Sequence, residues 1–429
     1  MTGSIALVVF GTLILCLVLT VPIGFSLGIA TLSYILYTHQ LTFGFITQNL
    51  VTGVDSFPIM AIPFFVFAGE LMGGGGISKR LLNVANVYFG RIQGGLAIVT
   101  VVVCMFFAAI SGSGPATVAA VGGMVVPTML EKGYDKKFVL ALIAAAGSIG
   151  VIIPPSIPMV VYSVTTNSSV SKLFMAGFIP GVLIGVVLIG YSYYYAKKMG
   201  YKGDDEPFSW NRAMKETWDA KWALLSPVII LGGIYGGIFT PTEAAAVAVV
   251  YSLLVGCLVY KELNLKQLLE TTKSACETTA TILLVIGCAA GFSKVLTLGR
   301  IPTTVATFLT SMTDSKIVIL LLINVLLLVV GCFMETLCAI MILAPILFPV
   351  VTALGVDVTH FGIIMVVNLA IGFITPPLGV NLFVASRVGE TTLDAVIKGI
   401  IPFLVLMIIT LLLITYIPAI SLFLPNMLG

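Results

Sequence analysis

Long uncharged apolar runs alternate with short polar segments along almost the whole chain. Windows long enough to cross about 30 Å of hydrocarbon fall near 4–20, 22–38, 57–75, 172–195, 222–240, 241–260, 278–297 and 400–424. Two more crossings are interrupted. One runs over 138–166 and breaks around Gly150-Val151-Ile152-Ile153-Pro154-Pro155; the other runs over 361–386 and breaks around Gly372-Phe373-Ile374-Thr375-Pro376-Pro377. Paired prolines remove backbone donors and push the preceding residue out of helix, so both crossings are expected to unwind within the membrane. Between the spans lie two hairpin-like stretches, 95–130 and 316–350. In the first, the runs 95–110 and 115–130 are each short for a span and meet at Ser111-Gly112-Ser113-Gly114-Pro115, which reads as the tip of a re-entrant hairpin. Amphipathic segments, 77–91 and 300–313, precede the hairpins and suit arm helices lying along the membrane surface. The pattern therefore predicts an all-α integral membrane fold with about ten crossings, two re-entrant hairpins and two surface arms.

Composition agrees. Of 429 residues, 59% are hydrophobic and 9% charged, against about 25% charged in soluble domains, and the mean hydropathy is +1.16. The net charge of +3 is spread over loops without a basic stripe, so nucleic acid is not an expected partner. Charge instead orients the chain. Placing Arg91, Lys132, Lys136 and Lys137 at a cytoplasmic hairpin mouth leaves only Lys172, Lys294, Arg300 and Lys316 at or near the outer face, as the positive-inside rule requires. Both termini then face outward, and the two hairpins enter from opposite faces. The polar stretch 197–221 holds Asp204-Asp205-Glu206 and Trp210, Trp218 and Trp222, and reads as an interfacial cytoplasmic connector or, less simply, a protein-binding epitope. Seven cysteines without CxxC spacing read as small buried hydrophobes, and His39 and His360 alone do not suggest a metal site. The N-terminal run lacks a basic lead and is expected to be an uncleaved first span rather than a signal peptide.

Sliding the chain by 222 residues brings its halves into register. Gly69 meets Gly291, Pro127 meets Pro349, Gly133 meets Gly355 and Asp135 meets Asp357. The match continues through Ile149-Gly150 with Ile371-Gly372, Pro154-Pro155 with Pro376-Pro377, and Ile179-Pro180 with Ile401-Pro402. The expected organisation is a first repeat over 1–196, the connector 197–221 and a second repeat over 222–429. Each half carries an odd number of crossings, so the second is expected upside down relative to the first. Inverted repeats with discontinuous helices are the pattern of secondary transporters, with substrate and ion sites at the repeat interface.

The breaks suggest what is held there. Unwound carbonyls with hydroxyl or carboxylate side chains suit sodium. A first candidate site combines Ser111 and Ser113 with carbonyls near Gly150, Ile153 and Pro155; a second combines Glu335 and Thr336 with Gly372, Thr375 and Pro377. The plainer alternative for the serines is helix capping at the hairpin tip. A carboxylate at mid-membrane costs roughly 2.5–3.5 kcal/mol on insertion scales, which marks Glu335 as functional, as a sodium ligand or a proton carrier. Glu70 and Glu243 read as span-end caps or scaffold partners. Ser113, Ser156, Thr165, Asn167, Thr336, Thr375 and Asn381 are the candidate substrate contacts, with helix N-termini after the prolines favouring an anion. No intramembrane arginine is available to clamp a carboxylate, so selectivity is expected to lean on an upstream partner.

The SGSGPATVAAVG tip over 111–122, the GxxIPPSIPMV break over 150–160 and the TPPLGVNLFVAS break over 375–386 resemble the large membrane (M) subunit of tripartite ATP-independent periplasmic (TRAP) transporters, across essentially the whole chain. The resemblance implies a multi-pass protein of the bacterial inner membrane importing an organic anion, such as a C4-dicarboxylate or a sialic acid. It further implies an elevator mechanism driven by at least two sodium ions, with no organic cofactor. The implied partners are a small four-helix Q subunit, here expected as a separate chain, and a periplasmic substrate-binding protein. Two alternatives remain open: a sodium–dicarboxylate symporter of the same architecture working without a binding protein, and an intramembrane serine protease suggested by Gly112-Ser113-Gly114. The protease needs a base aligned with the serine, and neither histidine lies in a span that could supply one.

Overall fold

The computed structural model describes residues 2–203, 208–313 and 315–428; the Asp204-Asp205-Glu206 acidic run of the connector lies outside them. The described residues form helices joined by short turns, without a strand. Among the described residues, seven helices are long and apolar enough to cross a membrane, and shorter apolar helices such as Ile23–Thr38, Lys221–Tyr235 and Val358–Gly372 accompany them.

The 222-residue register is visible in the helix bounds. The first hairpin, Gly95–Ser111 and Gly114–Glu131, recurs as Lys316–Phe333 and Thr336–Ala353. The helices leading into the breaks, Lys136–Ser148 and Val358–Gly372, begin at equivalent positions, and those leaving them, Ile157–Thr166 and Val380–Val388, end at equivalent positions. Local chemistry repeats with them. Asp135 accepts from the Phe138 amide at 3.3 Å and Asp357 from the His360 amide at 3.0 Å, each capping its helix. Gly133 and Gly355, two residues earlier, both take positive φ (79° and 64°), where a side chain would be strained. Both double-proline bonds, Pro154-Pro155 and Pro376-Pro377, are cis.

Several bounds differ from the hydropathy reading, each for a local reason. The expected span 278–297 is the C-terminal part of one 34-residue helix, Leu265–Leu298. It starts at a capping box, Asn264 with Gln267, so the polar turns before Thr278 are helical too. At 1.5 Å per residue it is about 50 Å long, well beyond the hydrocarbon thickness. The expected span 400–424 divides at Ile417-Pro418 into Leu393–Tyr416 and Ala419–Leu428, because a proline cannot donate into the preceding turn. The arms are Ile77–Phe89 and Ile301–Met312, slightly shorter than 77–91 and 300–313. The second hairpin's helices are 18 residues each and apolar enough to count as spans; length alone does not separate a hairpin arm from a crossing.

Packing divides the molecule by burial. Every residue from Phe138 to Ser148 and from His360 to Gly372 is buried, so the two helices entering the breaks form the centre of the core. The first arm is fastened to the neighbouring helices by Arg80, which pairs with Glu262 at 2.7 Å, donates to the Gly76 carbonyl at 2.9 Å and lies 3.6 Å over the Tyr260 ring. The connector helix Trp210–Asp219 joins this assembly through Thr217, whose hydroxyl is 3.2 Å from that of Tyr88 on the arm. Tyr260 reaches the Asp219 carbonyl at 3.3 Å.

Candidate substrate and cation site

At the first tip, Ser111 closes one hairpin helix and Ser113 caps the next, with Gly112 between them in the left-handed region (φ 59°). The Ser113 hydroxyl accepts from the Ala116 amide at 3.5 Å, so it does serve as a cap. Ser111 Oγ lies 3.1 Å from Thr117 Oγ1, and Thr117 donates to the Ser113 carbonyl at 2.7 Å. Three oxygens are thus gathered within one turn. The first break presses against them. A methyl group on Gly150 would stand 2.6 Å from both the Ser113 carbonyl oxygen and Thr117 Oγ1, and one on Gly112 would stand 2.9 Å from the Pro155 carbonyl. Ser111, Ser113, Gly150 and Pro155 therefore come together, with Thr117 added. Ile153 is buried a turn away, its amide bonded to the Ile149 carbonyl at 3.0 Å and its side chain against Gly181.

The second tip is built alike but from different chemistry. Glu335 caps Thr336–Ala353, accepting from the Leu337 amide at 3.1 Å and from Cys338 Sγ at 3.6 Å. Thr336 is buried and its hydroxyl has no partner among the described residues. The break approaches backbone to backbone: a methyl on Gly372 would stand 2.5 Å from the Gly331 carbonyl carbon and oxygen. Cys332 Sγ points at the carbonyls of Thr375 (3.5 Å) and Pro376 (2.8 Å). The carbonyl brought to this tip is thus that of Pro376, whereas Pro377, the expected ligand, is exposed. The Thr375 hydroxyl donates to the Ile371 carbonyl at 2.8 Å.

Both tips line one cavity of about 430 Å³, reached by Gly112 and Ser113 from one side and Glu335, Leu337 and Cys338 from the other, with Thr278 and Thr281 of the long helix facing them. A second cavity of about 420 Å³ shares Ser113, Ile157, Thr278 and Ile282 with the first and extends past Ser111 to Glu70 and Gly74. The other expected substrate contacts separate from this centre. Ser156 is fully buried as a cap, donating to the Val151 carbonyl at 2.6 Å and accepting from the Met159 amide at 3.4 Å. Thr165 lines a different cavity of about 240 Å³, with Lys294. Asn167 is exposed at the end of Ile157–Thr166 in the left-handed region. Asn381 is buried beneath the site, where its amide donates to the Ala144 carbonyl and to Ser148 Oγ, both at 3.1 Å.

A family model described as "Tripartite ATP-independent periplasmic transporter, DctM component" matches residues 10–420. The chain belongs to this family. It is 52% identical over 97% of its length to the isethionate TRAP transporter permease protein DctMQ of Oleidesulfovibrio alaskensis, of which it spans 66%. It is 39% identical to the C4-dicarboxylate TRAP transporter large permease protein DctM of Rhodobacter capsulatus, with 99% of both chains covered. Among solved structures, the YdaH transporter of Alcanivorax borkumensis shares the fold at a TM-score of 0.58 and 17% identity, over 82% of this chain and 85% of that one. This DctM-family chain is therefore a multi-pass membrane permease subunit and not an enzyme, which removes the protease reading.

The sequence reading missed Thr117, Thr278, Thr281 and Cys338, all of which lie at the tips or the cavity. Thr117 stands one turn past the tip in the motif itself and was legible, whereas Thr278-Thr279-Ala280-Thr281 is a hydroxyl cluster opening an apolar run whose facing partners the sequence does not show. Asn381 is the member best tested as structure. Its amide ties the second break to the first repeat's helix Lys136–Ser148, and removing a buried donor costs about 1–3 kcal/mol. Asn381→Leu is expected to lower the unfolding temperature of the detergent-solubilised protein by several degrees; an unchanged melt would mean the tether contributes nothing.

Proposed function

We propose that this DctM-family subunit imports a small organic anion, coupled to sodium, by moving a unit made of both hairpins and both breaks against the remaining helices. The observation that carries this reading is the meeting of Ser113 and Glu335, from equivalent tips of two repeats, at one cavity between two unwound breaks. Hydroxyl, carbonyl and carboxylate oxygens at those tips suit a cation, and the cavity between them accommodates the solute. The two repeats run in opposite senses across the membrane, the division falling at the connector 197–221. Sodium would be held by Ser111, Ser113 and Thr117 with the carbonyls at Gly150 and Pro155, and by Glu335 and Thr336 with those at Gly372, Thr375 and Pro376. The partners are a small permease subunit and a periplasmic binding protein, in the bacterial inner membrane.

Isethionate is the first substrate to test, because the relative named for it is 52% identical. With two sodium ions a monovalent anion carries one net charge inward per cycle, worth about 2.3 kcal/mol per 100 mV, whereas a dianion moves none. Uptake by the reconstituted three-component complex is expected to require a sodium gradient and to accelerate with an inside-negative potential for isethionate but not for a C4-dicarboxylate. Uptake driven equally well by a proton gradient without sodium would defeat the coupling. Undiminished uptake without the binding protein would instead indicate a stand-alone symporter.

A further inference from the structure

We propose that the cavity lined by Thr52, Ser56, Thr165, Ser293, Lys294 and Met341 is a separate outer site that captures the carboxylate or sulfonate group of the incoming anion before it reaches the tips. This rests on the import reading above. The long helix Leu265–Leu298 connects the two places. Thr278 and Ile282 face the central cavities, while Ile286, Ala290, Ser293 and Lys294 face the outer one. These residues follow one another at three- and four-residue spacing along a single helix face. From Thr278 to Lys294 is about 24 Å of helix, and the positive-inside assignment places the Lys294 end outward.

The donors of the outer cavity select an anion. Lys294 is exposed and forms no ion pair among the described residues, so its ammonium is available to the cavity. Thr52 and Thr165 have committed their hydroxyl hydrogens to the Gln48 and Val161 carbonyls at 2.9 and 2.7 Å. The Ser56 and Ser293 hydroxyls bond to nothing described, leaving two neutral donors beside one cationic donor. Charge-assisted hydrogen bonds from such a set are the strong ones for a carboxylate or sulfonate. The opposite end of the pathway carries the opposite sign, since Glu70 lines the inner cavity beside Ser111 and Thr278. An anion is thus met by a cation on the outer side and by a carboxylate on the inner side, an order that favours capture first and release last.

The test uses isethionate and the complete complex. Lys294→Gln is expected to raise the half-saturating isethionate concentration roughly tenfold, the size expected for one lost charge-assisted hydrogen bond, with Lys294→Arg restoring most of the affinity. Ser293→Cys, labelled on intact cells with impermeant thiol reagents and compared with the parent protein, should react faster with an anionic reagent than with a cationic one. That preference should vanish with Lys294→Gln, and isethionate should protect the thiol. Unaltered half-saturation in Lys294→Gln, or labelling of the Ser293→Cys variant only from the cytoplasmic side, overturns the outer site while leaving sodium-driven import standing. Protection by isethionate together with sodium-independent uptake supports the outer site and removes the coupling instead.

Discussion

Gly150→Ala is expected to raise the sodium concentration for half-maximal uptake by more than tenfold, while Gly123→Ala on the same hairpin unit changes nothing. The added methyl at Gly150 would stand 2.6 Å from the Ser113 carbonyl oxygen and 2.6 Å from Thr117 Oγ1. Neither neighbour can retreat cheaply. The carbonyl is main chain at a turn whose Gly112 already takes a left-handed conformation, and Thr117 Oγ1 is held by Ser111 and by that same carbonyl. Overpacking of this kind costs about 1–3 kcal/mol, and a tenfold change in ion affinity is about 1.4 kcal/mol. Relief must come from the tip moving away from the break, which pulls apart the oxygens contributed by two different segments. At Gly123 no atom lies within 4 Å of the added methyl, so the control tests the substitution without the clash. Sodium-dependent uptake by purified, reconstituted variants decides the matter, and an unaltered sodium curve for Gly150→Ala would mean that the first tip and break do not share an ion.

Much of this arrangement is legible in the sequence because it is built from helix breakers. Glycine and proline act on their own backbone, so Gly112, Pro154-Pro155 and Pro376-Pro377 announce unwound segments without knowledge of their neighbours. The 222-residue register is legible for the same reason, since Gly133 with Gly355 and Asp135 with Asp357 fix turns and caps locally. What sequence does not disclose is which segments face one another. Ser156, Thr165, Asn167 and Asn381 all lie near the breaks and are polar, yet one is a cap, one lines the outer cavity, one is exposed and one is a buried tether. Depth along a helix and azimuth around it decide between those fates, and both depend on partners distant in sequence. Thr278 and Thr281 illustrate the converse: hydroxyls in an apolar run bond readily to their own helix, so only the opposing tips reveal that they border a cavity. The second half also carries a buried polar chain without counterpart in the first. Asn368 donates to Asn324 at 2.8 Å, Asn324 to Thr415 at 3.1 Å, and His360 lies 3.2 Å from the Thr415 carbonyl. The register pairs these with Ala146, Val102, Tyr193 and Phe138, and Phe138 instead stacks on Tyr195 at 4.2 Å. The repeats agree at the breaks and diverge in how they are packed.

Glu335→Gln separates the two roles that one carboxylate plays at the second tip. As the cap of Thr336–Ala353, Glu335 accepts from the Leu337 amide, and a glutamine carbonyl can accept that bond in the same place. Glu335→Ala cannot, and should lose about 0.5–2 kcal/mol of stability from the missing cap. As a cation ligand, however, the side chain contributes a full negative charge to a cavity edge where the Thr336 hydroxyl is buried without a partner among the described residues and the Thr375 and Pro376 carbonyls lie across from Cys332. Gln removes that charge. The expected outcome is a protein that melts near the parent temperature yet needs more than tenfold higher sodium for half-maximal uptake, with its dependence on sodium concentration falling from two-ion toward one-ion steepness. If the parent carries sodium at both tips, the Gln variant should also move one charge fewer per isethionate, abolishing the acceleration by an inside-negative potential. A variant that instead keeps its sodium curve and loses sensitivity to an imposed pH gradient would identify Glu335 as a proton carrier. One that keeps both would leave it as a cap alone, and the second tip would then hold no ion. The three outcomes differ because a cap needs only an acceptor, a proton carrier needs an ionisable acid, and a sodium site needs charge.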